Sequence, residues 1–235
     1  MFSHSLISIV LATYNEAESI LDTIHALDTH VGQPLEIIVV DDNSPDGTWD
    51  VVQKANLPYA HLIRRTNERG LASAFWRGVQ EARGDYIGWM DADMSMPPAL
   101  LPVMFEALKQ ADIAVGSRYV KGGRDERTWL RVRASQCING LARLVLNRHI
   151  YDFDSGFALV KKEVIQAVPF RAKGYGEYFM EFLYAAAKKG FQIKEVPYVF
   201  CDRLKGTSKS APSMSHFLKT GVDYIVRIFV ARFRN

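Results

Sequence analysis

Short apolar runs alternate with helically spaced segments through the first half of the chain. Residues 7–12, ISIVLA, read as a buried strand, and residues 16–28 as a helix. Residues 36–40 form a second strand, closed by Asp41-Asp42-Asn43-Ser44 and the turn Pro45-Asp46-Gly47. A helix over 48–55, a strand over 61–64, a helix from Gly70 to 82 and a strand over 86–90 follow. Such alternation predicts an α/β fold, a mostly parallel sheet with helices on both faces. Past Pro97-Pro98, with Ser95 as the expected cap, a helix runs to about residue 110, before a strand over 112–117. The glycine- and charge-rich residues 121–125 read as a mobile loop. A long helix over 128–146, a strand over 155–159, a helix over 178–189 and a strand over 193–200 complete the body. Residues 202–213 read as a flexible basic loop, and no internal repeat is visible.

Composition narrows the class. With 235 residues, 48% of them hydrophobic, the chain can bury a full core as one large α/β domain or two small ones. A net charge of only +3 gives no dense basic face for nucleic acid. Cys137 and Cys201 have neither zinc spacing nor a histidine partner. The N-terminus lacks the basic and apolar regions of a signal peptide, and no charge-free apolar run is long enough to span a bilayer. A cytoplasmic protein that does not cross the membrane is the expectation.

In open parallel sheets, ligands bind outside the carboxyl ends of the strands. Acidic residues stand at two of those ends, Asp41-Asp42 and Asp91-Ala92-Asp93. Two carboxylates one residue apart at a strand tip offer the hard oxygen donors that Mg²⁺ and Mn²⁺ take, with substrate phosphates as further ligands. An isolated Asp-x-Asp is more often an acidic turn or a helix cap. Here Thr13-Tyr14-Asn15-Glu16 follows the first strand: Thr13 and Glu16 fit a capping box, while Tyr14 offers a flat stacking surface and Asp42 an acceptor for a base N–H. Together these ends suggest a nucleotide pocket.

In this order the motifs ATYNE, VVDDNSPDGT, Gly70-Leu71, DYIGWMDADMSMPP, VGSRY, DFDSGF and EVPYVFCDRLKGTSK resemble those of the family-2 glycosyltransferases with a GT-A fold, in particular the dolichol- or polyprenol-phosphate mannose synthases. The resemblance runs from about residue 7 to residue 209. It implies nucleotide-sugar contacts at Ala12, Tyr14, Glu16, Val40, Asp42, Asp91, Ala92, Asp93, Arg118, Arg203 and Lys209. It implies Mg²⁺ or Mn²⁺ at Asp91 and Asp93, with Ser95 at a third ligand position, and catalytic roles for Asp91, Asp93 and Arg203. Arg118, Arg131 and Ser135 would bind the acceptor phosphate, and Arg124, Arg127 and Arg133 read as solvated surface charge. Ala12 stands where proline is usual and Asp154 where threonine is usual. Asp154 and Glu181 read as structural acceptors rather than bases. The implied activity is inverting transfer of one sugar, mannose from GDP-mannose, to dolichyl or polyprenyl phosphate.

Other readings stay open. A UDP-sugar donor would keep the same fold. A sugar nucleotidyltransferase would begin with a glycine-rich basic loop, where this chain has the acidic ATYNEAE, and a non-catalytic nucleotide-binding subunit would not need Asp91-Ala92-Asp93 with Arg203 and Lys209. No Gln-x-x-Arg-Trp motif of processive synthases is present. The domain reading is a glycosyltransferase unit over 1–211, divided at 112/113 into donor and acceptor halves, with an amphipathic helical tail over 212–235. In that tail Lys219, Asp223 and Arg227 recur every fourth residue and leave Phe217, Leu218, Val222, Ile225, Ile228, Phe229 and Phe233 as a broad apolar surface. Its charges forbid spanning. It therefore reads as a helix lying on the cytoplasmic face of a membrane, on a membrane-embedded partner, or on the protein's own body.

Overall fold

The structure is a computed structural model that describes residues 5–172, 174, 176–201 and 214–234, with side chains from residue 220 onward in the last segment. The predicted alternation is realised as β1 (Ile7–Thr13), α1 (Ile20–Val31), β2 (Leu35–Asp41), α2 (Thr48–Ala55), β3 (Ala60–Arg64), α3 (Leu71–Glu81) and β4 (Tyr86–Met90). A short 3-10 turn (Pro98–Leu100) leads into α4 (Leu101–Ala107), followed by β5 (Ile113–Ser117), β6 (Arg124–Asp125) and α5 (Trp129–Val145). Then come β7 (Ala158–Lys161), α6 (Lys162–Ala167), α7 (Glu177–Lys188), β8 (Ile193–Pro197), β9 (Val199–Phe200) and α8 (Met214–Arg234).

Among the described residues, seven strands form one sheet in the order β3-β2-β1-β4-β7-β5-β8, in which only β7 runs antiparallel to its neighbours. Successive strand residues point to opposite faces, and the core divides accordingly. Ile7, Ile9 and Leu11 pack with Ile20, Ile24 and Leu27 of α1 and Met104 of α4 on one face. Val10, Ile38 and Trp89 pack with Phe75 of α3, Phe179 and Phe182 of α7 and Ile228 of α8 on the other. Ser8 interrupts the apolar run, but its hydroxyl donates to Glu36 at 2.5 Å and accepts the Gly84 N–H at 2.8 Å, so burying it leaves no polar atom unpaired. The chain winds outward from β1 in both directions, through β2 to β3 and through β4. That reversal opens a crevice at the C-terminal ends of β1, β2 and β4.

Several local expectations give way to tertiary contacts. Helix α1 begins at Ile20 rather than Glu16, because the backbone of residues 15–17 is drawn across to the segment after β2. Ser95 does not cap the helix after Pro97; its hydroxyl donates to Asp93 instead. The strand expected over 155–159 starts at Ala158, after Gly156 turns the chain at φ 70°. The strand expected over 193–200 divides at Tyr198: β8 pairs with β5, whereas β9 pairs with β6. Part of the loop expected over 121–125 is therefore strand. Helix α6 went unread in the sequence, since its six residues carry too little periodicity.

Candidate active site

The crevice is a cavity of about 240 Å³, lined by Ala12, Thr13, Tyr14 and Glu16 after β1, Asp42 after β2, Arg69, Gly70, Leu71 and Ala74 at the start of α3, and Asp91, Ala92 and Asp93 after β4. Three strand ends that lie far apart in sequence thus face one space.

Each wall is held by side-chain hydrogen bonds to backbone. The backbone N–H groups of Asn15, Glu16 and Ala17 donate to Ser44 Oγ, Thr48 Oγ1 and Asp46 Oδ2 at 3.0, 2.9 and 3.0 Å. Asn15 takes a positive φ of 58° there, a conformation that asparagine tolerates better than most residues. Thr13 donates to Asp41 Oδ2 at 2.7 Å rather than capping a helix. The turn after β4 is pinned by Ser19 Oγ and Thr23 Oγ1, which both donate to the Ala92 carbonyl at 3.0 Å.

Asp42 accepts from Arg65 Nε at 2.6 Å and from the Gly70 N–H at 2.8 Å. Arg65, itself buried, also donates to Ser73 Oγ and the Gly70 carbonyl, both at 3.0 Å. The Asp42 carboxylate is thereby fixed at the N-terminus of α3, where partial positive charge favours an anion. Arg69 lies over the Tyr14 ring, 3.8 Å from its centroid, so one face of that ring already carries a cation–π contact. Arg65 and Arg69 join the site beyond the residues expected from sequence; the local signal for them is the Arg-Gly pair opening an apolar helix beside an acidic strand end.

Asp93 is buried and accepts the Ser95 hydroxyl at 2.5 Å and the Ser95 N–H at 3.1 Å, both on Oδ1. Ser95 is buried and does not line the cavity, so its hydroxyl orients Asp93. Asp91 and Asp93 both line the cavity, and two carboxylates there are the donor type that suits a hard divalent cation. Among the described residues no group of three or more His, Cys, Asp or Glu side chains is placed to hold a metal ion by itself. An ion held here would complete its shell with substrate phosphate and water. Val40 lies wholly inside the core and does not line the cavity. Arg203 and Lys209 lie outside the described residues.

A second polar cluster follows β5. Arg118 is buried, donating from Nε to Asp152 Oδ2 at 2.9 Å and from a terminal nitrogen to Asp152 Oδ1 at 2.7 Å. Asp154 lies 3.4 Å and Asp125 3.7 Å from the same guanidinium. Burial opposes the Arg118 charge, but Asp152 and Asp154 outweigh it and hold its pKa well above the ordinary value. Burial also pushes the neighbouring Tyr119 phenol up to about 12. Ser135 on α5 donates to Asp154 Oδ2 at 2.8 Å. The structure thus joins Arg118 and Ser135 through Asp154, while Arg131 stands half-buried one turn earlier on α5. Arg127, expected as solvated surface charge, is mostly buried and bonded to Asp125 at 2.9 and 2.6 Å. Arg124 and Arg133 are exposed. Glu181 is buried between Arg171 and Arg227, at 3.1 and 3.2 Å, and ties α7 to α8.

Residues 8–168 match the glycosyl transferase family 2. The chain belongs to that family. This glycosyl transferase is 41% identical over 209 residues to a dolichol-phosphate mannosyltransferase of Pyrococcus furiosus, covering 86% of this chain but only 58% of the relative's length. It is 34% identical to an undecaprenyl-phosphate mannosyltransferase of Micrococcus luteus, covering 85% of each chain. It is also 34% identical to a polyprenol monophosphomannose synthase of Mycolicibacterium smegmatis, covering 87% of this chain and 81% of that one. Among solved structures, glucosyl-3-phosphoglycerate synthase from Mycobacterium tuberculosis, in complex with Mn²⁺, UDP and phosphoglyceric acid, superposes with a TM-score of 0.77 at 16% identity. That match covers 99% of this chain and 80% of the other. The likeness is one of fold, and the glycosyl transferase has the GT-A architecture expected of it.

Proposed function

We propose that the protein transfers mannose from GDP-mannose to a polyprenyl or dolichyl phosphate, with inversion and with Mg²⁺ or Mn²⁺ bound at Asp91 and Asp93. The observation that carries this reading is the convergence of Tyr14, Asp42 and Asp91-Ala92-Asp93 on one cavity, in a chain whose relatives are mannosyltransferases named for lipid phosphates. Tyr14 and Asp42 bind the nucleoside, by stacking and by accepting a base or ribose donor, and Glu16 and Ala12 shape that wall. Asp91 and Asp93 hold the cation, which when bound neutralises charge on the departing diphosphate. Arg203 and Lys209, which follow Cys201 in the sequence, supply a bidentate guanidinium and a point charge to the same diphosphate.

The acceptor phosphate sits at Arg131, Ser135 and Arg118. A phosphomonoester has a second pKa of about 6, so its oxygen is already anionic near neutral pH and needs no general base. Consistent with this, Glu181 is committed to two arginines. The chain's residues therefore work by orientation and electrostatics, aligning the acceptor oxygen opposite the leaving group.

The acceptor's isoprenoid tail requires contact with a membrane. Among the described residues no helix is long and apolar enough to cross one. Helix α8 packs Tyr224, Ile228 and Ala231 against the body and turns Val222, Ile225, Val226, Phe229 and Phe233 outward. We assign that outward stripe to the membrane surface, where an amphipathic helix binds by apolar burial. Incubation with Mn²⁺, a short polyprenyl phosphate and either GDP-mannose or UDP-glucose, read by mass spectrometry, tests the whole reading. Mannosyl lipid from GDP-mannose alone is expected; glucosyl lipid from UDP-glucose would replace the donor, and no glycolipid from either would end the proposal.

A further inference from the structure

The Arg118 cluster holds more acid than base. Among the described residues, Asp125, Asp152 and Asp154 face two guanidiniums, those of Arg118 and Arg127. Glu195 stands behind them, taking the N–H groups of Tyr151 and Asp152 at 2.7 and 2.9 Å. Three of these carboxylates are tightly engaged. The Asp152 side chain is fully buried in a two-point pair with Arg118, Asp125 is 1% exposed and paired with Arg127, and Glu195 accepts from backbone on both oxygens. Asp154 differs. Its side chain is 18% exposed, and Oδ2 accepts one short bond, from the Ser135 hydroxyl at 2.8 Å, and a longer one from Arg118 at 3.4 Å.

A hydroxyl and a guanidinium meeting on one anionic oxygen are what a phosphate oxygen would find there. The Arg118 side chain is only 2% exposed, and of the three aspartates on it Asp154 is the one that reaches solvent. We infer that Asp154 is a specificity-determining residue that occupies the acceptor-phosphate position in the free enzyme and must be displaced when a lipid monophosphate binds. The inference rests on the assignment of Ser135 and Arg118 to the acceptor above. Asp154 keeps Ser135 and Arg118 aligned while the site is empty and repels a doubly charged headgroup that does not gain enough from the other contacts.

The test is steady-state kinetics of wild type, Asp154→Asn and Asp154→Thr with GDP-mannose and a short-chain polyprenyl monophosphate, alongside thermal melting. Loss of the competing charge lowers the acceptor KM by about three- to tenfold and leaves the donor KM unchanged. A merely structural role would instead lower the melting temperature and kcat with no fall in acceptor KM. If either variant melts with the wild type and its acceptor KM is unchanged or raised, the inference is overturned while the transferase reading stands. If wild-type protein transfers no sugar to the lipid phosphate, both fall together.

Discussion

At the scale of single residues, the site depends on carboxylates whose oxygens are assigned before any substrate arrives. Asp93 is oriented by Ser95, and its replacement removes a proposed cation ligand and takes the acceptor from the Ser95 hydroxyl and N–H. Asp93→Ala should cut metal-dependent turnover by about a thousandfold at a cost in stability of about 1 kcal/mol. Near-normal turnover by the folded variant would remove the metal assignment. Asp42 is fixed differently, by a buried cation. Arg65→Ala leaves the Asp42 charge with the Gly70 N–H alone and should destabilise the fold by about 3 kcal/mol. It should also raise the donor KM; an unchanged denaturation midpoint would show that the Arg65–Asp42 pair contributes nothing net.

At the scale of elements, the sheet is knit by side chains that bridge strand to strand. Glu36 on β2 accepts from Ser8 on β1 and from the N–H and guanidinium of Arg83 before β4. Burial alone would raise its pKa, but those donors outweigh burial and hold it below the ordinary 4.5. A carboxyl depressed in the folded state releases its proton more readily there than when unfolded. Its stabilisation is therefore complete above pH 4.5 and is lost as pH falls through the folded value. Unfolding midpoints followed from about pH 6 to about pH 3 should fall more steeply for wild type than for Glu36→Gln; parallel curves would exclude Glu36 as a source of acid sensitivity. The positions of these strands were legible because buried strands read as short apolar runs. What stayed hidden was how residues 15–17 leave helical geometry to meet Ser44, Asp46 and Thr48, since no local pattern records a bond across about thirty residues.

At the scale of the molecule, α8 has two apolar faces with different fates. Ile228 is fully buried, and Ile228→Asp should cost about 3 kcal/mol and loosen the helix from α5 and α7. Phe229 and Val226 are 43% and 52% exposed, so Phe229→Asp and Val226→Asp should leave the melting temperature unchanged and abolish sedimentation with liposomes. Wild-type sedimentation by both variants would remove the outward stripe from the membrane assignment. The expectation that the tail lies on lipid, on a partner or on the body divides between its faces. One face covers the body, and the other is open.

The sequence by itself determined the alternating α/β order, the strand tips that carry Asp42, Asp91 and Asp93, and the amphipathic tail, because hydrophobic periodicity and turn chemistry act within a few residues. Tertiary structure alone decided that Val40 is core, that Ser95 serves Asp93, that Arg127 is mostly buried and that Arg118 is walled by acid. The acid around Arg118 comes from Asp152 and Asp154, 34 and 36 residues away in sequence, and the cost of burying an unpaired charge fixes that choice. Ser95 and Arg127 bond carboxylates only two residues away, but the burial of those pairs, like that of Val40, is set by how the elements pack.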